Sequence, residues 1–295
     1  MDKLNQLITL PDRRRLGFAE YGLADGYPVF ALHGTPGSRL WFKANDETSL
    51  NLGIRLITVD RPGYGLSDPK TDRSLLQFTE DLAALANHLR LESYSVLGVS
   101  GGAAYAAACA YAFPDKINSV ALVAGISEFE NGKAPKAMCK PNRISFWLAK
   151  RLPWVLKLSF RQQKKLIDTQ PEVYKKSIRT NVAHLCPADQ AVVSKEENAE
   201  IILHHMREAF RNQATEAVNE SRLLAKPWGF RASDINCPVH VWHGTNDTLA
   251  PIGEAKKLAA QIPGAVEHYI ETKGHFLDDD PQVWEDILRS VKLSR

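Results

Sequence analysis

Gly98-Val99-Ser100-Gly101-Gly102 limits what this 295-residue chain can fold into more than any other stretch. An apolar run, Ser95 to Leu97, leads into it, and an alanine-rich helical stretch, Ala103 to Phe113, follows. A serine on a sharp strand-to-helix turn stands at the end of a sheet with its hydroxyl exposed. A Cβ at position 98 or 102 would crowd the neighbouring helix and strand, so glycine suits both. Five residues alone arise by chance. Their weight comes from the order of the elements around them.

Short β-like segments occur at Gln6–Leu10 and Leu16–Tyr21, with Pro11-Asp12 as a turn between them. Further strands are expected at Pro28–Leu32, Ile54–Val59, Tyr94–Val99, Ile117–Val123, Val239–Trp242 and Val266–Ile270. Helices are expected around Leu40–Leu52, Leu75–Leu91 and Ile252–Gln261, and around Leu288 and Val291 at the end. Leu75, Phe78, Leu82, Leu85 and Leu89 share one helical face. Apolar runs alternating with amphipathic helices predict an α/β fold, a mostly parallel sheet of about eight strands flanked by helices on both faces.

The stretch from Ile126 to Arg231 breaks this rhythm. It is helical in pattern and contains no clear strand, and it begins after one core strand and ends before the next. The expected organisation is a core of residues 1–125 and 232–295 with a helical cap, 126–231, inserted above the carboxyl ends of the strands. That is where open α/β sheets bind ligands.

Apolar residues make up 44% of the chain and charged residues 24%, and the net charge of +3 is too small to argue for nucleic acid. Cys109, Cys139, Cys186 and Cys237 are scattered without metal spacing and read as free buried thiols. The first residues lack the apolar core of a signal peptide, and no run approaches the ~20 apolar residues of a membrane span. A soluble, cytoplasmic protein is expected, with no stable membrane insertion, no cofactor and no metal.

Three residues lie at ends of expected strands in the order Ser100, Asp247, His275. A serine hydroxyl needs a base within reach to lose its proton. His275 follows the last expected strand and Gly274, and Asp247 follows Val239–Trp242. A carboxylate there would fix the imidazole tautomer. Asp60 and Asp278, Asp279 and Asp280 are the rival acids. Asp60 reads as an organiser of its loop, and the other three read as a solvated helix start.

Together with His33-Gly34-Thr35-Pro36-Gly37, Asp60-Arg61-Pro62-Gly63-Tyr64-Gly65-Leu66-Ser67, His243-Gly244-Thr245-Asn246-Asp247 and Gly274-His275-Phe276, these features resemble the α/β-hydrolase superfamily in its capped serine subgroup. The resemblance implies an α/β-hydrolase fold and a carboxylesterase-like serine hydrolase. It also implies an oxyanion hole from the backbone N–H groups of Thr35 and Gly101, with a Thr35 side chain tolerant of change. His33 reads as packing beneath that loop. Serine at position 100 disfavours dehalogenase and epoxide hydrolase chemistry, whose elbows carry aspartate. The Gly-Thr-Pro-Gly loop is distantly similar to that of proline iminopeptidases, which leaves an aminopeptidase open. Carbon–carbon bond hydrolase, lyase and perhydrolase chemistry on the same three residues stay open too, as does a non-catalytic ligand receptor on this fold.

Residues 126–231 hold 19 Lys and Arg against 11 Asp and Glu, while the rest of the chain holds 18 against 23. This is either a solvated helical surface or an attractor of an anionic or lipid-like small-molecule substrate. Charge reversal at Lys164, Lys165, Lys175 and Lys176 would separate the two. Phe146-Trp147, Leu152, Trp154-Val155 and Leu158 either pack the insertion onto the core, line an acyl pocket or touch a membrane. His204-His205 are adjacent and do not share a helical face, so a metal site is not expected there. Oligomeric state leaves no mark in the sequence.

Overall fold

The computed structural model describes residues 2–293. Eight strands form one sheet: β1 (Gln6–Thr9), β2 (Arg15–Gly22), β3 (Tyr27–Leu32), β4 (Ile54–Val59), β5 (Tyr94–Val99), β6 (Ile117–Val123), β7 (Val239–Gly244) and β8 (Val266–Ile270). Their order is β1-β2-β4-β3-β5-β6-β7-β8. From β4 through β8 every neighbouring pair is parallel, and β2 runs antiparallel to both β1 and β4. The sequence expectation of a mostly parallel, eight-stranded α/β sheet is met.

Strand alternation sorts the core into two layers. Phe30 and Leu32 of β3 point to one face, under α2 (Leu75–His88), α3 (Gly101–Ala112) and α10 (Ile252–Gln261). Val29 and Ala31 point to the other, under α1 (Asp46–Asn51) and α11 (Pro281–Leu293), where Phe42 stacks on Trp284. Ser74 starts α2 with a reciprocal capping box to Gln77. The helix expected over Leu40–Leu52 is shorter, a single 3-10 turn and then α1. Its apolar start, Trp41 and Phe42, instead packs a loop onto the sheet.

Between β6 and β7 run six helices: α4 (Lys140–Arg151), α5 (Pro153–Thr169), α6 (Pro171–Thr180), α7 (Pro187–Val193), α8 (Glu196–Ala209) and α9 (Thr215–Leu224). Proline opens α5, α6 and α7, where its missing N–H costs nothing. The insertion has a small core of its own, built from Ile167, Tyr174, Leu203, Met206 and Phe210. No helix among the described residues is long and apolar enough to cross a membrane.

Candidate active site

Ser100 joins β5 to α3 with φ 54° and ψ −120°, a backbone conformation that a side chain rarely adopts. The turn is held because its N–H donates to Val123 O at 2.8 Å. A Cβ on Gly98 would lie 2.2 Å from Gly102 O, and one on Gly102 would lie 2.2 Å from Leu32 O. Close approach of strand, turn and helix therefore requires both glycines.

Asp247 and His275 meet above β7 and β8. His275 Nδ1 lies 2.7 Å from Asp247 Oδ2. The other carboxylate oxygen accepts from the N–H groups of Leu249 and Ala250, both at 2.8 Å. Buried His243 lies 3.3 Å from Asp247 and also reaches Ala250 O. Burial works against both ionised forms, but their mutual attraction outweighs it. Asp247 is held below the usual carboxylate range, and His275 is raised above 6.5, with Asp189 and Asp278 adding to the shift. Ser100 and His275 line one cavity, without a hydrogen bond to each other among the described residues.

Thr35 and Gly101 line the same cavity. Gly101 is the first residue of α3, so its N–H has no acceptor within the helix. The Thr35 side chain is more tightly held than expected. Its hydroxyl donates to Glu220 Oε2 at 2.8 Å and accepts from Arg61 Nη2 at 3.0 Å. Glu220, on α9 and fully buried, also accepts from Arg61 Nε at 2.7 Å and from the Tyr105 hydroxyl at 2.8 Å. Burial opposes its charge, yet Arg61 and Arg73 keep it well below the usual carboxylate range. Arg61 in turn donates to the carbonyl oxygens of His33 and Gly34. Burial, then the Arg61 charge, lowers the His33 pKa well below the ordinary value, in keeping with a packing role beneath the loop.

The insertion reaches His275 as well. Asp189 of α7 accepts the His275 N–H at 2.8 and 3.0 Å and the Phe276 N–H at 3.2 Å. Sequence reasoning singled out neither Asp189 nor Glu220. Their partners are 86 and 159 residues away along the chain, and no local pattern marks either carboxylate.

Asp60 organises its loop, accepting from the Arg39 N–H at 2.6 Å, Arg39 Nη1 at 2.8 Å and the Leu66 N–H at 2.8 Å. Asp278 departs from expectation: it is buried rather than solvated, because it accepts from Trp41 Nε1 at 2.6 Å across the gap to the β3 loop. His204 is exposed and His205 is buried against the Trp41 ring. No cluster of three or more metal-ligating side chains occurs among the described residues.

The cavity measures about 310 Å³. Core loops supply Thr35, Ser100, Leu249 and His275, and the insertion supplies Met138, Phe146, Phe160 and Leu224. No Lys, Arg, Asp or Glu stands among its described lining residues. Its lining is largely apolar, with Thr35, Ser100, Asn142, Ser145, Ser221 and His275 as polar residues among the apolar ones.

A family model described as alpha/beta hydrolase fold matches residues 27–280. A 2-hydroxy-6-oxononadienedioate/2-hydroxy-6-oxononatrienedioate hydrolase from Pseudomonas putida is 28% identical over 255 residues, covering 84% of this chain and 81% of its own. A proline iminopeptidase from Heyndrickxia coagulans is 36% identical over 105 residues, 32% of this chain and 34% of its own. Among solved structures, an esterase from Exiguobacterium antarcticum superposes with a TM-score of 0.72 at 18% identity, over 98% of this chain and 99% of its own, a likeness of fold.

Proposed function

The chain belongs to the alpha/beta hydrolase fold family, and from that premise we propose that it is a serine hydrolase cleaving neutral esters with an apolar acyl group. Ser100 is the nucleophile. Its Oγ attacks the ester carbonyl carbon while His275 Nε2 takes the hydroxyl proton. Asp247 holds His275 through Nδ1 and stabilises the imidazolium. The carbonyl oxygen becomes an oxyanion received by the Thr35 and Gly101 N–H groups, each worth ~100- to 1,000-fold in rate. His275 returns the proton to the leaving alkoxide, giving an alcohol and an acyl-enzyme. It then deprotonates water, which releases the acid and regenerates Ser100. Residues 126–231 serve as a cap over the core formed by 1–125 and 232–295.

One observation carries this reading: His275, held from behind by Asp247, lines the same cavity as Ser100. The cavity's chemistry also weighs against two competing activities. The Pseudomonas relative's name denotes a dicarboxylate, and burying a carboxylate here would leave it without a cation in the wall. An aminopeptidase must hold a substrate ammonium, and no carboxylate stands among the described residues lining the cavity.

The test is an ester panel of graded acyl length with product analysis, run beside a fluorophosphonate probe. Acid and alcohol should appear in equal amounts. Ser100→Ala should lose at least ~10⁴-fold in kcat and all labelling. Wild-type labelling of Ser100→Ala would refute the assignment. Peracid formation with hydrogen peroxide, or preference for a dicarboxylate ketone, would move the activity to perhydrolase or carbon–carbon hydrolase.

A further inference from the structure

Of the four lysines that the sequence put forward in the insertion, two are engaged in ion pairs. Lys164 pairs with Asp168 at 2.9 Å, and Lys175 is shared among Glu172, Glu196 and Glu200. Six further cations of the insertion, without ion pairs among the described residues, gather at one groove. A groove of about 970 Å³ runs between α4 and the turn at residues 129–136, lined by Lys133, Lys136, Lys140, Arg143, Lys150 and Arg151. All six are exposed, and none has a carboxylate within ion-pair reach among the described residues. The two carboxylates of the groove are engaged: Glu130 with Lys257 at 2.8 Å, and Glu254 with the Ser127 hydroxyl at 2.5 Å.

Large apolar side chains stand among these cations. Ile144 and Trp147 line the groove, 45% and 56% exposed. On α5, Trp154 and Leu158 are 63% and 51% exposed and share a helical face with exposed Arg161 and Lys165. Leaving two tryptophans in water while the same insertion buries a core of its own costs free energy unless something covers them. Exposed tryptophan between lysine and arginine is the composition of a helix that lies in a lipid headgroup layer. α4 is ~18 Å long at 1.5 Å per residue, sufficient to lie flat and too short to span.

We propose that the outer face of α4 and α5 docks on an anionic lipid bilayer. Its cations attract the headgroup charge, and Trp147 and Trp154 enter the interface. Phe146 lines both this groove and the catalytic cavity, so a lipid ester drawn from the bilayer would reach Ser100 along one continuous wall. That last step rests on the ester hydrolase reading. Docking itself does not, so vesicle binding and ester turnover can fail separately.

The experiment is sedimentation of the full chain with vesicles of phosphatidylcholine alone, or with about one quarter phosphatidylglycerol, at low salt and at about 1 M salt. Binding should be at least ~10-fold tighter to the anionic vesicles and should collapse at high salt. Lys140→Glu, Arg143→Glu, Lys150→Glu and Arg151→Glu combined should weaken it at least ~100-fold, at roughly fivefold for each charge. The same four changed to Gln should weaken it less, and Trp147→Ser should weaken it severalfold. Turnover of a water-soluble short ester should be unchanged in all three variants. The wild-type salt response tests the idea even if a variant misfolds. Equal binding to neutral vesicles, salt-insensitive binding, or a charge-reversed variant that binds like wild type would overturn it. So would displacement by inorganic phosphate at matched ionic strength, which would indicate a soluble anion. Light scattering that shows a dimer broken by Trp147→Ser without lipid would indicate that a second copy covers the face.

Discussion

The helical insertion has an inner and an outer face with opposite electrostatic roles. On the inner face four of its carboxylates turn toward the core, Asp189, Glu216 and Glu220 buried and Glu208 partly so. Glu220 holds Arg61 and Thr35, Glu216 holds Arg73 at 2.7 Å, Glu208 holds Arg39 at 2.6 Å, and Asp189 receives two N–H groups of the His275 loop. On the outer face the lysines and arginines of α4 stand in water around Trp147. The positive balance of residues 126–231 is therefore greater where the solvent is, because four of the segment's eleven carboxylates are turned to the core. The difference teaches that one segment can brace the loops around Ser100 and His275 on one side while leaving its other side free of the core. Changes on the inner face should disturb chemistry and stability together, and changes on the outer face should disturb neither.

The strongest way to break this contrast is Glu220→Leu. It leaves Arg61 and Arg73 buried with lost or weakened partners, which costs about 3–5 kcal/mol. Urea unfolding measures this, and a loss below ~1 kcal/mol would mean the inner face is not held by that carboxylate. Glu220→Gln keeps the shape and should cost less. Because Arg61 and Arg73 hold Glu220 below its ordinary 4.5 despite burial, its stabilisation is complete above that value. It is lost as pH falls toward the lowered value, and the Gln variant should lose this part of its acid sensitivity.

A smaller and more local effect is expected at Asp189. Asp189→Ala leaves the His275 and Phe276 N–H groups without their acceptor, so kcat should fall ~10- to 100-fold with KM little changed. A pH profile separates positioning from general damage. His275 must be neutral to act as base, so kcat/KM should rise with pH through a value above the ordinary 6.5, to which burial is opposed but which Asp247 and then Asp189 raise. Asp189→Ala should move that acid limb to lower pH, and an unmoved limb with lost activity would assign Asp189 to folding alone. Thr35 offers the next step down. Thr35→Ser keeps the hydroxyl between Glu220 and Arg61, whereas Thr35→Val removes it, and the two should differ by ~10-fold in kcat.

Much of the core was legible in the sequence because its signals are local. Ile54–Val59 and Ile117–Val123 are β-branched runs that become β4 and β6 over the same residues. Gly98 answers to a contact four residues away, at Gly102 O, and chain order brought Asp247 and His275 forward as partners. What escaped was set by distance. Asp278 sits among three aspartates and reads as solvated, but its partner Trp41 lies 237 residues away. The Leu40–Leu52 stretch carries a helical pattern whose first apolar residues are needed to cover the sheet around Trp284, and packing overrode propensity there. Glu220 is one of eleven acidic residues in the insertion, and only the fold selects it.

The smallest expected effects lie on the outer face, and they sharpen the contrast because they are near zero. Trp147→Ser and Lys140→Gln remove exposed side chains that make no hydrogen bond or ion pair to the core among the described residues, so each should change stability by no more than ~0.5 kcal/mol. Their kcat/KM on a soluble short ester should stay within about twofold of wild type, since neither lines the catalytic cavity. Combining either with Asp189→Ala should simply add the two effects, because sites that share no partner are independent. A double variant that departs from additivity by more than ~0.5 kcal/mol would mean that the two faces communicate through the body of the insertion. The outer surface would then be part of the catalytic support, not a platform built on its back.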